Sequence, residues 1–169
     1  MLLSINKKTK WAVFAPYATP QRVAQLRDKI TNCASFFDFW QMSIGDFSQM
    51  IENGLPDELK KHVENKEITV YEVIEILNAA DKFLNDFSKA LSNYKIEPEG
   101  DEITASSFCP EFKPIESMLI FTREYFGLKN FGDAEKITLL EYYLAKKDSY
   151  SKAIFQRSLQ KIQLNKMKK

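Results

Sequence analysis

An all-α fold, an irregular multi-helix bundle built round one long central helix, is predicted by three observations. Only 5 of the 169 residues are glycine, and apolar/polar alternation bounded by turn residues is nearly absent, so strands have little to form from. Residues 69–94 contain neither Gly nor Pro and keep a heptad of apolar positions, the pattern of a long amphipathic helix. With 44% hydrophobic and 13% aromatic residues, a chain of this length can bury its own core without disulfide or metal staples.

Residues 1–17 are expected as an extended N-terminal arm, with 11–14 (WAVF) the stretch that looks most like a strand, and residues 18–169 as a single helical domain. Thr19 followed by Pro20 is an N-cap with proline at the first helical position, where its missing N–H costs nothing. Val23, Leu26 and Ile30 then mark one face of a helix running to about Asn32. Farther on, Ser43 can cap a helix with Asp46 answering three residues later, while Met42 and Phe47 have the spacing of a hydrophobic staple. That helix should run to about Asn53, where Gly54 supplies a left-handed stop and Pro56 opens another short turn. Phe36, Phe37, Phe39 and Trp40 crowd in just upstream. Aromatics beside a staple predict core, closed over by residues 74–87; a ligand pocket beneath them is the alternative.

The central helix begins with a capping box, Thr69-x-x-Glu72. Its 26 residues would span roughly 39 Å at ~1.5 Å per residue. Val70, Leu77, Leu84 and Leu91 fall on one seam, with Val73, Ala80, Phe87 and Tyr94 three residues after each. Ile76, Phe83 and Ala90 add a flanking row, which makes the stripe wider than a two-stranded seam. The face must be covered by other helices of the chain or by the same helix of neighbouring copies.

Residues 95–113 turn acidic and rich in Pro, Gly and Ser, a long connection. It reads either as a docking arm anchored by Phe108 and Phe112 or as a surface loop pinned by those rings. Pro114 opens a helix to Phe126, which Gly127 ends. Asp133 and a second box, Thr138-x-x-Glu141, offer two starts, so one helix begins at 133 or two join near 137. The first two turns after that box are apolar nearly all round and should be buried. Beyond Lys146 the stripe thins to Tyr150, Ile154, Phe155, Leu159 and Ile162, so the end of this long C-terminal helix is expected to project.

The net charge of +1 argues against a chain that is electropositive everywhere. Its distribution is uneven. Residues 149–169 carry no acid and six bases, Lys152, Arg157, Lys161, Lys166, Lys168 and Lys169, with 163–169 a basic tail; Glu97, Glu99, Asp101 and Glu102 form an opposing acidic run. Cations there complement a helix C-terminus, or touch nucleic acid or an acidic protein surface.

Little in the sequence points to reaction chemistry. His62 is the one histidine, Cys33 and Cys109 are far apart, and no Gly-rich phosphate loop or G-x-S-x-G elbow occurs, so no catalytic, cofactor-binding or metal-ligating residue is assigned. The carboxylate pairs Asp57 with Glu58 and Glu72 with Glu75 sit beside lysines that explain them. A non-enzymatic protein without cofactor is expected. Reduced thiols fit a cytosol-like compartment. The start, MLLSINKKTKWAVF, reverses the order of a secretory signal, and no apolar run approaches the ~18 residues of a bilayer span, so a soluble chain with no membrane partner is expected.

The stretch FWQMSIGDFSQM, residues 39–50, resembles the hydrophobic, Ser/Thr, Ile, Gly, Asp/Gln, aromatic helix start of small helical proteins encoded among the virion and tail genes of tailed bacteriophages, including those infecting Bacteroidetes. GDAEKITLLEYYLAKKDSYSKAIF, residues 132–155, is a looser echo. The resemblance implies a structural or assembly role: a connector, a tail component or an assembly chaperone, in the virion or the host cytoplasm. It agrees with what the residues suggest, an interaction protein whose partners are other subunits, copies of itself included. Trp11, Phe14, Tyr17, Phe108, Phe112, Lys152, Arg157, Lys161 and Lys166 are the expected contact residues. The alternative is a small helical nucleic-acid-binding or regulatory protein using the basic C-terminal helix.

Overall fold

The capping signals of the sequence reappear as helix starts in the structure, a computed structural model that describes residues 5–97, 99, 102 and 112–167. Among the described residues there are eight α-helices and no strand: α1 (Trp11–Phe14), α2 (Pro20–Lys29), α3 (Ile44–Asn53), α4 (Asp57–Glu64), α5 (Val70–Ser92), α6 (Pro114–Tyr125), α7 (Phe131–Ala134) and α8 (Leu139–Met167). They group into two compact units, Met1–Asp86 and Phe87–Lys169. Among the described residues no helix is long and apolar enough to cross a membrane.

In the first unit, residues 11–17 are not the extended arm expected. Trp11–Phe14 is a helical turn, and Ala15–Tyr17 continues it as a 3-10 turn. The physical reason is the spacing of the two aromatics: three residues apart, Trp11 and Phe14 share a face only if the chain coils, and their rings lie 5.6 Å apart. Phe14 is 2% exposed and packs with Ile30, Val70 and Ile74. Just before this turn, Lys10 pairs in an antiparallel bridge with Thr69. The Trp11 N–H donates to the Ile68 carbonyl (2.8 Å) and the Val70 N–H to the Thr9 carbonyl (2.9 Å), so a donor orphaned at the start of α5 is satisfied by the N-terminal segment.

Thr19 caps α2 as expected, its Oγ1 accepting from the Arg22 N–H at 3.3 Å. The helix stops at Lys29 rather than near Asn32, because Ile30 turns extended (φ −112°, ψ 90°) and is buried. The carbonyls freed there are taken up by Asn78 of α5, whose Nδ2 donates to Ile30 at 2.6 Å and to Asn32 at 3.1 Å. Arg27 locks the same junction, donating to Asn78 Oδ1 at 2.8 Å and pairing with Asp81.

Ser43 Oγ accepts from the Asp46 N–H at 3.0 Å, and Met42 and Phe47 are both buried as a staple. Gly54 adopts φ 87° and its N–H closes on the Met50 carbonyl at 2.7 Å, the left-handed stop that a side chain would strain. Phe39 stacks on Phe83 of α5 at 5.2 Å, and Trp40 and Phe47 meet the same ring edge-on. The aromatic cluster is therefore core closed by α5; Phe36 alone of the upstream rings is largely exposed, 5.1 Å from His62.

Thr69 and Glu72 form the capping box of α5: Glu72 Oε2 accepts from the Thr69 N–H at 2.8 Å, and Thr69 Oγ1 from the Glu72 N–H at 3.3 Å. Of the expected seam, Val70, Val73, Ala80 and Phe87 are buried, and so are Ile76 and Phe83 of the flanking row, while Leu77, Leu84 and Leu91 are half-buried. The arc widens toward the flanking row for a packing reason: Phe14 and Ile30 cover Val70 and Ile74, and Phe39 and Phe47 reach Phe83.

In the second unit the last turns of α5 place Phe87 against Tyr142 and Tyr94 against Tyr143 and Tyr150. Glu116 Oε2 accepts from the Lys113 N–H at 3.0 Å at the head of α6, and Gly127 (φ 63°) follows its end. The Phe121 ring meets Tyr142 edge-on at 5.6 Å. Two helices join near 137, and Thr138 with Glu141 boxes α8 as expected, but Asp133 is not a cap: α7 starts two residues earlier, where Asn130 Oδ1 accepts from the Asp133 N–H (2.8 Å).

Candidate functional site

Helix α8 meets different surroundings along its length. Leu139, Tyr142 and Ala145, in its first two turns, are buried. Burial pushes the Tyr142 hydroxyl up to about 12, because an anion there would lose its water.

Positions 143, 150 and 157 are seven apart and share a face. The first two meet Tyr94, whose hydroxyl is 3.1 Å from that of Tyr143. The third, Arg157, donates to the Glu97 carbonyl at 2.9 Å and pairs with Glu99 and Glu102. Lys161 reaches Glu99 at 3.1 Å. The acidic run and the basic end are thus partners within one unit. The hydrogen bond from Lys161, then the charges of Lys161 and Arg157, hold the Glu99 carboxyl below the usual carboxylate range.

Between Tyr142 and Lys152, α8 receives α6. Lys146 Nζ lies 4.1 Å over the Phe121 ring, and burial lowers its ammonium pKa. The Tyr125 hydroxyl donates to the Asp148 carboxylate, which also pairs with Lys152. These two bonds, that of Lys152 foremost, hold Asp148 below the carboxylate range, and the bond to Asp148 raises Tyr125.

Beyond Lys152 the same side of the helix is uncovered among the described residues. Phe155, Leu159 and Ile162, spaced by four and three, are 68%, 43% and 53% exposed. No residue of α8 beyond Ala145 is buried.

Of the residues expected at a partner contact, Phe14 is a core residue and unavailable, which follows from the coiling of 11–14. Trp11 is half-buried and Tyr17 exposed, both in the first unit. Phe112 is exposed, and Phe108, with most of the 95–113 connection, lies outside the described residues. Lys152, Arg157 and Lys161 are brought together with carboxylates of their own unit, whereas Lys166 is exposed with no ion pair among the described residues. Sequence reasoning treated Phe155, Leu159 and Ile162 as the tail of a thinning stripe. Their 4-3 spacing among Ser, Gln and Lys was the available signal of a separate seam.

Elsewhere, a depression of about 400 Å³ lies beside Phe36, Phe37, Leu59 and His62. Among the described residues no cluster of three or more His, Cys, Asp or Glu is placed to hold a metal ion. No protein family, curated protein or solved structure matches the chain.

Proposed function

We propose that this protein is a non-enzymatic subunit or assembly factor of a multi-subunit particle, and that it engages a neighbour through the distal half of α8. The observation that carries this reading is the set of large apolar side chains exposed on four helical turns, among them Phe155 and Ile162 at 68% and 53%. Apolar residues scattered singly over a surface need no explanation, but a run of them along one projecting element marks a contact site. On the distal half of α8 only Arg157 and Lys161 meet other described residues of the chain, through hydrogen bonds and ion pairs, and a partner would cover the apolar side chains. The resemblance of residues 39–50 to small phage virion and tail proteins supports placing that particle in a tailed bacteriophage, as a connector or tail component or its assembly chaperone, in the virion or the host cytoplasm.

A nucleic-acid-binding or regulatory role ranks second, because Lys152, Arg157 and Lys161 already face carboxylates. It would show as binding to nucleic acid that weakens steeply with salt.

The test is photo-crosslinking in the cell that naturally makes the chain, with a benzophenone residue at position 155 and, as control, at the exposed Lys147. The reading expects discrete adducts from position 155 and none from 147, and loss of incorporation into the particle when residues 152–169 are removed. No adduct at 155, with the truncated chain behaving as the full one, would reject it.

A further inference from the structure

We infer that Glu97, Glu99 and Glu102 form an autoinhibitory clamp over a nucleic-acid phosphate site made by Arg157 and Lys161 of α8. Such a site is separate from the assembly contact, since Phe155 lies about 160° round the helix from Arg157. The Arg157 fork is filled by two acceptors: one nitrogen donates to the Glu97 carbonyl at 2.9 Å and the other pairs with the Glu102 carboxylate. A guanidinium receives two oxygens of a phosphate in the same way. One turn on, Lys161 holds Glu99 at 3.1 Å, and the second oxygen of that carboxylate is 3.8 Å from Arg157. The acidic side is braced within itself: the Glu99 N–H donates to the Glu102 carboxylate at 3.1 Å, and the Glu102 N–H to the Glu99 carbonyl at 3.1 Å. Both cations therefore face one hydrogen-bonded anionic turn.

The clamp adds little to stability and much to charge. Glu99 and Glu102 are 60% and 54% exposed, so their pairs are weak and screened by salt. Residues 149–169, in contrast, carry six bases and no acid of their own. Lys152 is neutralised by Asp148, and with Glu99 and Glu102 in place Lys166 alone of the described cations there has no ion pair. Being part of the chain, the clamp is always at hand and outcompetes dilute anions. A nucleic-acid backbone can displace it, because a duplex brings a phosphate every ~1.7 Å and releases condensed counterions as it binds. A lipid surface fits less well. It sorts the apolar and basic residues of a helix to opposite sides, whereas here Leu164 is exposed on the Arg157 side, seven residues on, and Phe155 on the other.

The experiment titrates the full chain into a fluorescein-labelled DNA duplex at low salt, read by fluorescence anisotropy, with Glu99→Gln and Glu102→Gln combined in one variant. Opening the clamp is expected to tighten binding at least tenfold and to steepen the fall of log affinity with log salt by about two, one for each cation freed. Adding Arg157→Gln and Lys161→Gln to that variant should abolish the gain. The same charge change made at the exposed Glu52 and Glu64 of the first unit should leave the affinity near that of the parent. Glu99 and Glu102 are more than half exposed, so the clamp variant should keep the circular dichroism of the parent. Equal binding by parent and clamp variant, binding by neither, a gain that survives the loss of Arg157 and Lys161, or an equal gain from the Glu52 and Glu64 variant overturns the inference. So does a gain confined to vesicles containing anionic phospholipid. Adducts at position 155 decide the assembly reading separately.

Discussion

Helices α5 and α8 begin in the same way and end in opposite circumstances. Each opens on a Thr-x-x-Glu box, Thr69 with Glu72 and Thr138 with Glu141, closed by closely similar hydrogen bonds. Beyond the cap they part. The first half of α5 is covered from two sides by Phe14, Ile30, Phe39 and Phe47, whereas α8 has buried residues in its first two turns alone and runs on to Met167 with one side open. Local chemistry sets where a helix starts; how much of it is held depends on what the rest of the chain brings to it.

The largest expected contrast comes from truncating one isoleucine in each helix. Ile74→Ala in α5, at a side chain with no exposure, should cost ~2–5 kcal/mol by the lost transfer energy and the cavity left behind. Ile162→Ala in α8 should stay within about 0.5 kcal/mol. Urea denaturation of the two variants measures both, and similar costs would erase the distinction between the helices.

A second effect concerns the covered turns of α8 alone. Tyr142 is held neutral by burial, its pKa raised from 10.0 to about 12. Below pH 10 it is protonated in folded and unfolded chains alike; above that the unfolded chain ionises first, so stability falls as pH rises through the interval to about 12. The expected loss is about 2–3 kcal/mol, and Tyr142→Phe should flatten that part of the pH profile.

The caps sharpen the comparison from the other side. Thr69→Ala and Thr138→Ala should each cost ~1 kcal/mol, equal within error despite the different coverage of the helices they open. The smallest effect belongs to the pairing of Arg157 with Glu99 and Glu102. These carboxylates are more than half exposed, so Arg157→Gln should cost under ~1 kcal/mol and nothing at high salt. Because the Glu99 pKa is lowered, its contribution is present above the ordinary carboxylate range and is lost as pH falls through the lowered value.

How much of this was legible in the sequence depends on the range of the interaction. Helix starts at Thr19, Ser43, Thr69 and Thr138, and the stops at Gly54 and Gly127, are decided within four residues, and the structure places them as read. On α5 the row Val73, Ala80 and Phe87 is buried as its spacing predicts, while Leu77, Leu84 and Leu91 are only half-buried. Which positions are covered most is decided by Phe14 and Ile30, forty or more residues before Val70, and nothing in residues 69–94 announces them. Residues 11–14 were misread for a related reason, since four apolar residues fit a strand or a helical turn equally well until Val70 and Ile74 are known to receive Phe14. The pairing of the acidic run with Arg157 and Lys161 was legible only as opposed charge, not as contact. The stripe at Phe155, Leu159 and Ile162 was legible in spacing, and its exposure became evident only when the covering elements were seen to stop short of it.

The bridge between Lys10 and Thr69 also constrains the chain while it is being made. The segment carrying Trp11 and Phe14 is synthesised first, yet its partners Val70 and Ile74 come about sixty residues later. At the usual ~5–20 residues per second, roughly 3–12 s separate them. For that interval two large aromatic side chains have no core to enter, so the first unit cannot consolidate in step with synthesis: its N-terminal end must wait, exposed, for the head of α5.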